Sequence, residues 1–436
     1  MLIKEKELNR SGFPSVVSVL EAARILNVSP DTIRRWDKKG LIKSERSNNN
    51  HRLFRLAELK RAYSKYSGNT DGARYKVLKS RRTTHDVIEL FSGCGGMALG
   101  FENAGLRTKL LVEVDDRCVD TLRMNRPKWN IVHDDIKDVD FSIYRGTIDI
   151  VAGGFPCQAF SYAGNGKGFE DTRGTLFFEF ARAVKEVNPK IAVAENVRGL
   201  LRHDGRKTIT TMLNVLDELG YNVDFHLLRS QFLDVAQKRE RVIILGTRKD
   251  LSMDFIYPKE KDYTVSLREA LRNCVDSAGA SYPPKKKEIM ELVPAGGYWR
   301  DLPTEMQIEY MKASFHMGGG KTGMARRLSW DEPSLTLTCN PAQKHTERCH
   351  PEETRPLTIR EYARIQSFPD PWQFAGSLAS QYRQIGNAVP VNMAYHVGRC
   401  LIAMLEGKFD DKAMVTRKPR ERYFQQTLPL VASVIP

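Results

Sequence analysis

Two kinds of apolar spacing divide the chain. In "SVLEAARILNVSPDTIRRWDKKGLI", Val19, Ala22, Ala23 and Leu26 recur at helical spacing, and Ile33 and Trp36 of a second helix face them. Asn27 and Val28 make the turn, Ser29 is the expected N-cap with Pro30 at the first helical position, and Gly40 ends the second helix. This is helix-turn-helix grammar. Thr32, Arg34, Arg35, Lys38 and Lys39 stay on the outer face of the second helix, which suits entry into a major groove. "SNNNHRLF" reads as a polar turn between two short strands, a wing, and Leu56 to Tyr66 as a further helix. Residues 1–66 are therefore expected to form one small α-rich domain, and the polar, basic stretch 67–85 a linker.

From residue 86 the texture changes. Apolar β-type runs alternate with helical patterns: "DVIELF", "KLLVEVD", "NIVHDDI", "IDIVAGG", "KIAVAENV", "NVDFHLL" and "RVIILGT". Such alternation implies an α/β fold with a doubly wound, mostly parallel sheet over 86–247. It breaks down over 248–354, where Gly and Pro cluster, so an irregular small domain is expected there. Helical patterns return over 355–410, and the tail 411–436 is expected to pack poorly.

Charge narrows the class of partner. The net charge is +15, and residues 1–85 hold 20 Lys+Arg against 8 Asp+Glu. A cationic excess gathered in one domain points to nucleic acid. No apolar run reaches bilayer length and "MLIKEKELNR" lacks a signal-peptide pattern, so no membrane partner is expected. Seven scattered cysteines without a CxxC pair suggest reduced thiols in a cytoplasm. Cys339, His345, Cys349 and His350 match no common zinc spacing, so no metal is expected.

Strand ends carry the candidate chemistry. "VIELFSGCGGMALGF" turns through Gly93, Gly95 and Gly96 into a helix, where bare backbone can approach a ligand or simply turn tightly. Glu113 ends the next strand about 20 residues on, where nucleotide-binding sheets place a carboxylate on ribose hydroxyls. Asp135 ends the strand after that, placed to accept from an adenine amino group; either acid could instead be a solvated strand end. The turn is not GxGxxG and offers no phosphate anchor, so an adenosine on an uncharged or zwitterionic group fits better than NAD. In "GGFPCQAFS" a single thiol, Cys157, follows a strand end, and Gly164, Gly166 and Gly168 make a loop able to close over a substrate. "VAENV" puts Glu195 at a neighbouring strand end, so a nucleophile and a proton donor converge on one crevice. Arg239 and Arg241 of "QKRER" offer the opposite charge for a phosphate or a base oxygen.

"ELFSGCGG", "GGFPCQAFS", "DTRGTLFFEF", "AENVRGLL", "QKRERVIILG", "RPLTIREYARIQSFPD" and "QYRQIGNAVPVNMA" stand in the order of the cytosine-5 DNA methyltransferase motifs, and the chain resembles that family over about 86–247 and 355–405. "TIRRW", "GLI" and the following wing resemble the MerR-type winged helix. The first resemblance implies S-adenosylmethionine as cofactor and double-stranded DNA as substrate. It implies that Phe91 stacks on the adenine, that Gly93, Gly95 and Gly96 wrap the methionine part, and that Glu113 holds the ribose. Asp135, with Ile136, would hold the adenine, while Leu176 and Asn387 would line and close the pocket. Cys157 would attack cytosine carbon 6, Glu195 engage ring nitrogen 3, and Arg239 and Arg241 steady the base. Glu89 stands where the family more often has Asp. Residues 248–354 would be the target-recognition region, with Arg326, Arg327, Lys344, His345 and Arg348 as candidate DNA contacts. A partner restriction endonuclease at the same site and self-repression by the front domain complete this reading. The alternatives are a tRNA cytosine-5 methyltransferase, or a DNA-binding regulator with a decayed catalytic half.

Overall fold

The computed structural model describes residues 16–26, 30–38, 40–47, 50–56, 58–59, 75–156, 176–316 and 321–419. In the front domain, β1 (Val16–Ser18), α1 (Val19–Ile25), α2 (Pro30–Lys38), β2 (Ser44–Arg46) and β3 (Arg52–Arg55) enclose one core. Ala22, Ala23 and Leu26 are buried there with Ile33, Trp36, Ile42 and Phe54. β2 and β3 form the expected wing, and β1 adds an unexpected third strand beside β3. The expected cap at Ser29 and most of the helix from Leu56 lie outside the described residues.

The catalytic body is built on β4 (Asp86–Leu90), α3 (Gly96–Ala104), β5 (Arg107–Glu113), α4 (Asp116–Asn125), β6 (Ile131–His133), β7 (Ile150–Gly153), α5 (Leu176–Val187), β8 (Ile191–Val197), α6 (Lys207–Glu218), β9 (Tyr221–Arg229), β10 (Gln237–Lys238) and β11 (Glu240–Arg248). Seven of its strands form one sheet in the order β6-β5-β4-β7-β8-β11-β9. β11 runs antiparallel to both neighbours and the remaining pairs are parallel. Alternation within each strand explains the two helical layers. Ile88, Val151, Ala192, Ala194, Val242 and Ile244 pack under α5 and α6. Val87, Ile150, Ile191, Val193, Ile243 and Leu245 pack on the other face. There they meet α3 and the C-terminal helix α12 (Val391–Glu406), which follows α7 (Leu267–Leu271), α8 (Pro284–Glu291), α9 (Thr304–Met311), α10 (Ile359–Ile365) and α11 (Leu378–Asn387). Leu378–Glu406 is long and apolar enough to cross a membrane by composition, but 78% of its most apolar window is buried inside the protein.

α3 and α12 approach closely because glycines face each other's helix. A Cβ on Gly100 would lie 2.4 Å from Ala394 Cβ and 2.5 Å from the Val391 carbonyl oxygen. Gly100→Ala should gain up to about 1 kcal/mol of helix propensity, yet forcing the helices apart costs roughly 1–3 kcal/mol. The clash wins, and chemical denaturation should show a lower midpoint for the variant.

Three expected boundaries shift. The expected linker residues from Tyr75 onward dock on the body: Leu78 N–H donates to Asn392 Oδ1 (2.9 Å), Asn392 Nδ2 donates to the Lys76 carbonyl (2.8 Å), and Ser80 N–H donates to the Asn103 carbonyl (2.7 Å). β12 (Phe255–Pro258) pairs with β13 (Met414–Arg417), so residues expected in the recognition region and in the tail form one ribbon on the body. α7, Leu328 and Leu337 share a core with α10 and α11. What remains separate is a compact unit around Tyr282, Met290, Trp299, Leu302, Met311 and Met324.

Candidate active site

The expected cofactor corner starts at the end of β4. Phe91 adopts φ 57°, Gly93 φ 53° and Gly95 φ 86°, which turns the chain into α3 within five residues. Phe91 is the strained one, because only glycine takes the left-handed region freely. Gly93 N–H donates to Glu113 Oε2 (2.6 Å), while Val114 and Asp115 N–H donate to Oε1 (3.0 and 2.9 Å). Three backbone donors thus fix the Glu113 carboxylate beside the turn; they fill both lone pairs of Oε1 and leave one on Oε2 for a ligand hydroxyl. Beneath it, burial and the Glu113 charge hold the Glu89 carboxyl well above the usual carboxylate range, and its Oε2 has no hydrogen-bond partner. A buried carboxyl biased toward its protonated form, with an unpartnered oxygen, next to an anchored carboxylate suits a polar ligand with both donors and acceptors. Asp135 lies two residues past β6, is half-buried, and accepts from Lys137 N–H (3.1 Å), which with the Lys137 ammonium holds its carboxyl below the usual range. Ile136 is buried in the core, and its carbonyl accepts from Arg182 (2.7 Å). Leu176 opens α5, half-buried against the same core. Asn387 ends α11, exposed, with its Oδ1 accepting from the Cys339 thiol (3.0 Å).

The second corner lies at the ends of β7 and β8. Cys157 and the glycine loop after it fall outside the described residues, which stop at Pro156. The approach to the thiol is well defined. Phe155 is buried, its ring edge-on to Phe91 at 6.3 Å and to Phe177 at 5.5 Å, and its carbonyl accepts from Asn196 Nδ2 (3.1 Å). A Cβ on Gly154 would lie 3.2 Å from Glu195 Oε2, so Glu195 rests against the backbone three residues before Cys157. Arg241 Nε sits 2.7 Å from Glu195 Oε1, and both side chains are about one-tenth exposed. Burial lowers the Arg241 guanidinium from its ordinary range while Glu195 opposes the shift. This nearly dry ion pair holds one carboxylate edge at the site mouth. Asn196, whose clamp on Phe155 ties β8 to β7, was legible only as a neighbour of Glu195.

Arg239 is elsewhere. It is buried, with its guanidinium donating to the carbonyls of Gly386 (3.0 Å), Leu337 (3.3 Å) and Asn387 (3.4 Å). Burial first, then the Arg241 charge, push it down to about 9. Its guanidinium thus joins the start of β11 to Leu337 and to the Gly386–Asn387 turn, a use of its donors inside the fold. Gln237 joins the same seam, donating to Gln366 Oε1 (2.9 Å) and accepting from Leu337 N–H (3.0 Å); sequence reasoning passed over it.

Two of the five candidate DNA contacts are structural as well. Arg327 is buried and donates to the carbonyls of Met290 (2.6 Å) and Val293 (2.7 Å), and Arg348 to that of Thr336 (2.5 Å). Arg326 lies over the Tyr298 ring at 5.9 Å, while Lys344 and His345 are exposed. His350 Nδ1 accepts from Glu352 and Glu353 N–H (3.3 and 3.0 Å), a use of that nitrogen inside the fold. On α2, Arg34 and Lys38 are exposed, Arg34 pairing with Asp31 (2.7 Å). The side chain of Thr32 and residue Lys39 lie outside the described residues. Asp31 also accepts from the Tyr298 hydroxyl. Buried Glu332 pairs with Lys238, and although burial opposes it, the charges of Lys238, Arg35 and Arg326 hold its carboxyl at about 2.

Comparison with known proteins agrees with this geometry. The profile of the C-5 cytosine-specific DNA methylases matches residues 85–403, and that of the MerR family regulatory proteins residues 18–54. The Type II methyltransferase M.Eco47II of Escherichia coli is 53% identical over 408 residues, covering 89% of this chain and 96% of that protein. The Type II methyltransferase M.PspPI of Psychrobacter sp. (strain TA137) is 48% identical over 395 residues, covering 88% and 95%. A crystal structure of a DNA modification methyltransferase encoded within a prophage (E. coli) shares the fold at TM-score 0.55 and 24% identity, covering 74% of this chain and all of that one. A strand-end carboxylate locked by an arginine, in a chain matched by this profile from Gly93 to Asn387, leaves one conclusion: the chain belongs to the C-5 cytosine-specific DNA methylases and carries a MerR-like domain in front.

Proposed function

We propose that this enzyme methylates carbon 5 of cytosine within one duplex DNA sequence, through a transient bond between Cys157 and the base, with S-adenosylmethionine as methyl donor. The observation that supports it best is the Glu195–Arg241 pair packed against Gly154, three residues before the thiol. The target cytosine must leave the stack to reach that corner. The Cys157 thiolate adds to carbon 6, and Glu195 holds a proton at ring nitrogen 3, so the electron pair released by addition collects at carbon 5. Arg241 keeps Glu195 aimed while this happens. After methylation, loss of the carbon 5 proton expels the thiolate and restores the aromatic ring.

The cofactor corner fits an adenosyl group bearing a zwitterion. Glu113 would hold the ribose, Phe91 and Asp135 the adenine, and the bare backbone of Gly93 to Gly96 the methionine part. When bound, the group supplies an electrophilic methyl on sulfur. Leu176 and Asn387 would bound the pocket.

The Type II names of the relatives support a protective role beside a restriction endonuclease that cuts the same sequence. The six described cysteines are free, which suits the reducing cytoplasm. The winged helix would repress transcription from DNA upstream of its own gene.

Bisulfite sequencing of DNA from cells expressing the chain tests the reading. Protected cytosines in a single sequence context are expected; full conversion, with methylated tRNA instead, would overturn it. The Cys157→Ser chain should still silence a reporter placed behind its own upstream DNA. Equal reporter output with and without that chain would remove the repressor role.

A further inference from the structure

We propose that the segment from Arg198 to Lys207, "RGLLRHDGRK", is a phosphate clamp on the strand that flanks the opened cytosine. It rests on the DNA reading above and adds a binding surface to it. The segment leaves β8 three residues after Glu195, so it begins at the catalytic edge of the sheet. It carries Arg198, Arg202, Arg206 and Lys207 against one acid, Asp204, and all four cations are exposed. Arg198 pairs with Glu240 (2.5 Å), the residue next to Arg241. Arg202, Arg206 and Lys207 make no side-chain hydrogen bond or ion pair among the described residues. Three uncompensated cations on one short stretch repel one another and gain only from an external polyanion.

The backbone presents them rigidly. Asp204, Gly205 and Arg206 take φ 45°, 59° and 77°, three left-handed residues in succession. Two of these are not glycine, and such geometry persists only when its surroundings impose it. They do: Leu200 is buried before the turn, Thr208 and Ile209 after it, and His203 Nδ1 lies 2.6 Å from Thr208 Oγ1. The turn is therefore pinned at both ends, with its charge held outward beside the site where a duplex must open. A disordered basic tail would lose more entropy on binding the same phosphates.

The ligand is the phosphodiester backbone, recognised by charge and without sequence. The test uses the full chain carrying Arg202→Ala, Arg206→Gly and Lys207→Ala, the glycine chosen because it suits the left-handed backbone. Affinity for a short fluorescein-labelled duplex of random sequence is followed by anisotropy across a salt series. Each lost phosphate contact flattens the log–log salt slope by about 0.9, so the triple variant should lose roughly 2–3 units of slope. The KM for target DNA should rise at least about tenfold at physiological salt, with kcat within about twofold. A matched chain with Lys109, Lys190 and Lys249 changed to Ala, at the opposite edge of the sheet, should keep the parent slope. Should the triple variant misfold, Arg206→Gly alone should lose about one unit. An unchanged slope, an equal loss in the matched chain, or a fall in kcat at constant KM would each overturn the clamp. Methylation persisting at saturating DNA keeps this outcome separate from any failure of the enzymatic reading.

Discussion

Cys157→Ser is expected to abolish methyl transfer, lowering turnover by roughly 10⁴-fold or more, as removal of a covalent nucleophile does elsewhere. A hydroxyl is far less ionised than a thiol near neutral pH, so addition to carbon 6 stalls at its first step. Duplexes with 5-fluorocytosine at the target make the bond visible. Fluorine cannot leave carbon 5 as the proton does, so the parent enzyme should remain attached to the DNA through boiling in detergent, given S-adenosylmethionine. The serine variant should run free. Glu195→Gln should slow the parent reaction by roughly 10²–10⁴-fold, the usual reach of one proton-transferring group. Migration of the parent enzyme free of the fluorinated duplex would dismiss Cys157 as nucleophile.

Arg239→Met should be strongly destabilising. It strands the buried carbonyls of Leu337 and Gly386, which now accept from one guanidinium, and frees that of Asn387 at the surface. Each buried acceptor left unmade costs about 1–3 kcal/mol, so roughly 2 kcal/mol or more is expected in total. Methionine fills a similar volume, which isolates the lost hydrogen bonds from a cavity. Denaturant titration followed by tryptophan fluorescence should show the midpoint falling. Because the turn at Asn387 loses its tie, the cofactor KM should rise more than kcat falls. A variant as stable as the parent would show that these carbonyls find other donors.

The sheet was legible because both of its faces are covered. Its strands read as near-continuous apolar runs, and the carboxylates Glu113 and Glu195 mark where those runs end. The direction of β11 was not legible, since an apolar run carries no sign of which way it enters a sheet. The two arginines of "QKRER" show the limit more sharply. Strict alternation would aim both at one face, but the chain breaks between β10 and β11, and Arg239 turns toward Gly386 while Arg241 turns toward Glu195. The docking of Lys76 and Leu78 on Asn392 uses backbone groups, which composition does not reveal. Arg327 and Arg348 misled for a related reason. A basic residue in a DNA-reading region looks like a contact, but a small domain with little apolar core also needs donors for its buried carbonyls.

The packing of α12 on α3 has a consequence for newly made enzyme. The glycine turn at the end of β4 opens into α3, whose inner face is covered by a helix that begins 287 residues after α3 ends. At about 5–20 residues per second, a ribosome needs roughly 15–60 s to bridge that gap. Until then the emerging half exposes Met97 and Phe101 to the chaperones and cannot assemble its cofactor corner. Methylation in a cell newly receiving this gene should therefore begin only with released chains, and a nascent fragment contributes nothing to it.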